Sequence, residues 1–151
     1  MVPVIKRWRF TIAAVVIAVV AALVYQFWYR RVPAECKPVQ ELLSFNSAQS
    51  KVIDEKTKGD DAALPTPEQL AAYTAWADGL ADRAGKVTAP NLAQPAVELA
   101  TLANKFVGKL KVISSTPHAP GAPPPPEYYE LTIINEQIND DFGQLKKACQ
   151  R

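Results

Sequence analysis

At 151 residues the chain can supply one domain plus an appendage. Its formal charge of +2 hides an asymmetry. Lys6, Arg7, Arg9, Arg30 and Arg31 flank one apolar run, which leaves 12 of the 17 Lys and Arg against all 15 Asp and Glu from Val32 onward. A mildly acidic body excludes nucleic acid as an expected partner, because that needs a basic face.

Phe10 to Trp28 is nineteen residues without a charge. As a helix it measures roughly 28 Å, close to the ~30 Å of bilayer hydrocarbon. A cleaved secretory signal has a shorter core followed by small residues. Here the run ends in Gln26-Phe27-Trp28-Tyr29-Arg30-Arg31, and Trp8, Tyr25, Trp28 and Tyr29 sit where interfacial aromatics belong. The sequence therefore predicts a short cytoplasmic N-terminus over 1–9, a retained membrane helix over 10–28 and a juxtamembrane linker over 29–37. A helical extracytoplasmic domain follows over 38–151. Ala14, Ala18 and Ala22 recur every four residues, a spacing that lets a partner's membrane helix approach closely.

Flanking positive charge is nearly balanced, so the cysteines decide the orientation. The chain has two, Cys36 just past the anchor and Cys149 two residues from the end. In an oxidising space they can form one bridge. Closing a loop of more than 100 residues restricts the unfolded chain by about 4–5 kcal/mol. This places the body outside the cytoplasm.

Four helical segments follow, with weak strand patterning throughout. In the first, Pro38 to Lys58, one side carries Val39, Leu42, Phe45, Val52 and Ile53, interrupted by Gln49, and Gly59-Asp60-Asp61 ends it. The second opens on Thr66-Pro67-Glu68-Gln69, a capping box with proline at the first helical position. Leu70, Tyr73, Trp76, Leu80 and Ala84 form its stripe and Gly85 stops it. The third begins between Asn91 and Pro95 and carries a heptad seam of Leu92, Ala96, Leu99, Ala103, Phe106, Leu110 and Ile113. The fourth repeats the pattern with Leu131, Ile134, Ile138, Phe142, Leu145 and Cys149.

Four helices on short connections form an all-α, up-and-down bundle. An even number returns the chain to its starting end, which brings Cys149 to Cys36. The distal connection, 114–126, is proline-rich. Pro117, Pro120, Pro123, Pro124, Pro125 and Pro126 prevent helix and favour polyproline II, as a stiff connector or a contact surface. Pro125-Pro126-Glu127-Tyr128 fits the pattern read by WW domains, but those readers work in the cytosol of other kinds of cell.

Little suggests catalysis, and no enzyme activity is expected. His118, the single histidine, lies in the proline-rich connection with no partner fixed beside it. Neighbouring acids such as Asp140 and Asp141 diverge on a helix and read as a solvated face. No phosphate-binding glycine loop appears, and no cofactor or metal is expected.

The stretches Cys36-Lys37-Pro38-Val39 and Tyr73-Thr74-Ala75-Trp76-Ala77-Asp78-Gly79-Leu80-Ala81-Asp82-Arg83-Ala84 resemble single-pass envelope proteins of mycobacteria and their actinobacterial relatives. Such proteins have one anchor, an Ala/Pro-rich helical ectodomain and two cysteines. Within that group the plan is similar to accessory subunits of large membrane complexes. The Mce (mammalian cell entry) lipid-import transporter is preferred over the respiratory supercomplex. The chain departs from the mixed α/β ectodomain of the better-known Mce-associated proteins. The resemblance implies a non-catalytic scaffold at the plasma membrane whose partners are integral membrane subunits and the lipid bilayer. Two alternatives are a lipid- or ligand-binding module with Tyr73, Trp76, Phe106 and Phe142 lining a cavity, and a wall-facing sensor contacting through the proline-rich connection.

Overall fold

In a computed structural model of the chain, the described residues are 32–58, 64–117, 119 and 121–150. The chain divides into two units, Met1–Pro33 and Ala34–Arg151, and the second is described here. The run over 10–28, with Ala14, Ala18 and Ala22, lies outside the described residues, as do His118 and Pro120. None of the described helices is long and apolar enough to cross a membrane.

The body is all-helical among the described residues. A 3-10 turn at Ala34–Cys36 leads into α1 (Lys37–Thr57), followed by α2 (Pro67–Ala84), α3 (Pro90–Ser115) and α4 (Pro126–Cys149). Each helix has proline in its first turn, where its missing N–H leaves no bond unmade. The α2 start is the expected capping box: Gln69 N–H donates to Thr66 Oγ1 at 3.2 Å and Thr66 N–H to Gln69 Oε1 at 2.8 Å. Gln69 also donates to the carbonyl of Lys56 at 3.1 Å, tying the end of α1 to the start of α2. The third helix starts earlier than the sequence suggests. Pro90 takes the first position, and Pro95 lies inside the helix at the loss of one donor.

Consecutive helices pack closely, α1 on α2, α2 on α3 and α3 on α4, whereas α1 and α4 meet only sparingly. The chain alternates direction. Leu110 and Ile113 at the end of α3 cluster with Leu131 at the start of α4 and with Leu64, Leu70 and Tyr73 around the start of α2. At the opposite end the Cys36–Cys149 disulfide joins the start of α1 to the end of α4, with Cα atoms 5.6 Å apart. The core between is small and mostly aliphatic: Leu42, Leu80, Leu92, Leu99 and Leu145 are fully buried, with Ala77, Ala84, Ala96 and Ala103 among them, and Trp76 is nearly so. Val52 is not part of it, being 39% exposed.

The distal connection is shorter than 114–126. Ser114 and Ser115 complete α3, and Pro126 opens α4. Gly121 turns the chain with φ of +81°, a region open to glycine at little cost, and Ala122 N–H donates to Ala119 O at 3.0 Å. Pro125, at φ −65° and ψ 155°, is in the polyproline region before the helix.

Gly79 sets the distance between α1 and α2. The Phe45 ring lies against its backbone where a Cβ would overlap it. Arg83 covers that ring, its Cζ 3.8 Å from the centroid, and Arg83 Nη1 donates to Gly79 O at 2.9 Å.

Two outcomes follow for stability. Gly79→Ala gains about 1 kcal/mol of helix propensity but displaces a ring held on its other face, at about 1–3 kcal/mol. It should lower the melting temperature, while Gly108→Ala, which meets open space, should raise it. Cys36→Ser should destabilise the body by about 4–5 kcal/mol and expose Cys149 to thiol labelling, both read on the full-length protein.

Candidate functional site

The sparse α1–α4 seam opens as a groove. Its inner part, about 210 Å³, is lined from α1 by Asn46, Ser50, Ile53 and Asp54, and from α4 by Asn135, Ile138, Asn139 and Phe142. Tyr73, Trp76 and Phe106 line the rest of it, from α2 and α3. A wider part, about 440 Å³, shares Asn46, Asn139 and Phe142 and extends past Leu43 and Gly143 to Lys146 and Gln150. All four aromatics anticipated as a cavity lining are therefore at this groove.

Helix phase explains the aromatics. Both 3–4 and 4–3 spacings satisfy a heptad seam, and the structure selects the smaller residue each time. Val107 is buried at the α3 seam and Phe106 is rotated to half-burial. On α4, Asp141 holds the seam and Phe142 turns to the groove. The rings engage each other edge-on: Tyr73 and Trp76 with centroids 6.5 Å apart, Trp76 and Phe106 6.3 Å apart. Trp76 Nε1 donates to Asn46 Oδ1 at 2.8 Å. Indole can only donate, so this bond fixes the amide's orientation and leaves Asn46 Nδ2 as the remaining donor.

Asp141 corrects the expectation of a solvated Asp140-Asp141 face. Asp140 is exposed, but Asp141 is only 8% exposed and its Oδ2 has no hydrogen-bond partner among the described residues. Burial pushes its carboxyl above the usual range, and the nearby acids Glu98 and Asp140 push the same way. The adjacent-residue argument holds, since the two side chains do diverge, but it sends one inward.

The proline-rich connection carries surface. Pro123 and Pro124 are exposed, and beyond Pro126 lie Tyr128, Tyr129 and Ile133, each more than half exposed. Lys109 and Glu130 form an ion pair between α3 and α4 near this end; at the surface such a pair adds little stability. Among the described residues no group of three His, Cys, Asp or Glu could hold a metal ion. No family model, curated protein or solved structure matches the chain.

Asp141 gives a pH signature. A carboxyl with a raised folded-state pKa binds its proton more tightly than the unfolded chain does. Its contribution is complete below the ordinary value of 3.8 and is lost as pH rises through the raised one. The stability of the wild type relative to Asp141→Asn should therefore fall with rising pH across that interval. Asp141→Leu should stabilise by about 1–3 kcal/mol at neutral pH, the cost of an unpaired buried polar group. Chemical denaturation at several pH values measures both.

Proposed function

We propose that the chain is a membrane-tethered, non-catalytic accessory subunit that positions an extracytoplasmic component of an envelope membrane complex. The observation that supports this reading is the Cys36–Cys149 bridge. It holds both ends of the helical body together a few residues after Arg30-Arg31, where the apolar run ends in the sequence. A structural bridge also persists in oxidising compartments, which favours a body outside the cytoplasm. The resemblance to accessory subunits of the Mce lipid-import transporter makes that the first complex to look for.

The groove favours a second reading as a ligand-binding module. Its geometry argues against an enclosed lipid site. The aromatic part is smaller than the ~300–1,000 Å³ of pockets that engulf drug-sized ligands, and the wider part, though about 440 Å³, is lined mostly by the exposed Ser44, Asn139, Gly143, Lys146 and Gln150. Its walls carry three asparagines and a serine, which an acyl chain leaves unpaired.

Purification of the tagged full-length protein in mild detergent should bring integral membrane subunits with it in fixed proportion, identified by mass spectrometry. Recovery of monomer alone under several gentle conditions overturns the accessory-subunit reading, and a lipid retained by that monomer favours the carrier.

A further inference from the structure

The α1–α4 groove is too polar to be a dry helix seam, with Asn46, Ser50, Asn135 and Asn139 on its two walls. On α4, Asn135 and Asn139 are one turn apart, and on α1 so are Asn46 and Ser50. Four residues of helix advance roughly 6 Å. An extended peptide repeats every second residue at roughly 6.6 Å. Polar groups at this interval on both walls match the backbone of an extended chain. An asparagine amide offers both a donor and an acceptor, as a peptide unit does.

Other occupants fit less well. An inserted helix presents an apolar stripe and leaves these amides buried and unpaired. A saccharide stacks on a free ring face, yet Trp76 is only 7% exposed and meets Tyr73 and Phe106 edge-on. An extended peptide uses both the amide walls and the apolar part formed by Ile53, Ile138, Phe106 and Phe142. The ends of the groove differ in charge, with Asp54 at one and Lys146 at the other. From Asn135 to Gln150 the α4 wall is roughly 22 Å long, room for about six or seven extended residues.

Resting on the reading that the chain docks onto a partner, we propose that this groove binds an extended segment of that partner: a peptide of about six or seven residues with an apolar side chain at its centre, a basic residue toward Asp54 and an acidic residue toward Lys146. Asn46, held by Trp76, and the exposed Asn135 and Asn139 grip its backbone.

Selection from a random nine-residue peptide library, on full-length protein in lipid nanodiscs, tests this. Enriched peptides should share the basic–apolar–acidic order. A selected peptide, followed by fluorescence anisotropy, should bind Asn135→Ala/Asn139→Ala at least about tenfold more weakly, the effect of one or two lost hydrogen bonds. Both positions are exposed, so an unchanged melting temperature is expected and separates lost contact from lost fold. Lys146→Glu should reverse the charge preference at its end. No enrichment, equal binding to the double variant, or binding to a glycan array that the double variant loses each overturns the proposal. If membrane subunits copurify equally with wild type and double variant, the groove assignment fails while the accessory reading stands. If wild type brings no subunits yet selects such peptides through Asn135 and Asn139, the reverse holds.

Discussion

The body depends on how its first and last helices are held. Helices α1 and α2, α2 and α3, and α3 and α4 are neighbours in sequence and pack through contiguous apolar faces. Helices α1 and α4 meet more sparingly, and polar side chains interrupt the apolar ones between them, Leu43, Ile53, Ile138 and Phe142. Where a closed bundle places leucine or isoleucine, this seam has Asn46, Ser50, Asn135 and Asn139. The Cys36–Cys149 bond supplements this sparse contact with a covalent one at one end. A covalent tie at one end lets the seam above it remain open and polar without the ends of the body separating.

That division of labour accounts for the small core. Leu42, Leu80, Leu92, Leu99 and Leu145 are buried, but alanines fill much of the space between helices and bring the backbones close. The large rings are displaced toward the groove, where the Trp76–Asn46 bond links α2 to α1. Gly79 belongs to the same economy of space, since the Phe45 ring occupies the room its side chain lacks.

Much of this was legible from residue spacing. The capping box at Thr66–Gln69, the four-helix count and the return of Cys149 to Cys36 follow from local chemistry and parity, and the structure has all three. Phase at the aromatic positions was not legible. Phe142 or Asp141, and Phe106 or Val107, satisfy a heptad equally well, and hydrophobicity favours the phenylalanine. Only the packed neighbours decide, because a phenylalanine needs more room than these close seams leave. The burial of Asp141 was hidden for the same reason: a carboxyl in a core position is chemically costly, so sequence patterning assigns it to water. The groove could be anticipated in its aromatics but not in its amides, because asparagines on a helix face ordinarily mean solvent. The amide-lined groove appears only when two such faces oppose each other.

A bond that joins residues 113 positions apart makes the body a ring in the topological sense. Cutting one peptide link anywhere between Cys36 and Cys149, for instance in the exposed stretch around Pro123 and Pro124, opens the ring but releases nothing. Both pieces stay joined, held by packing and by sulfur. Separating them requires a reductant as well, so a nicked body stays in one covalent piece after its chain has been broken.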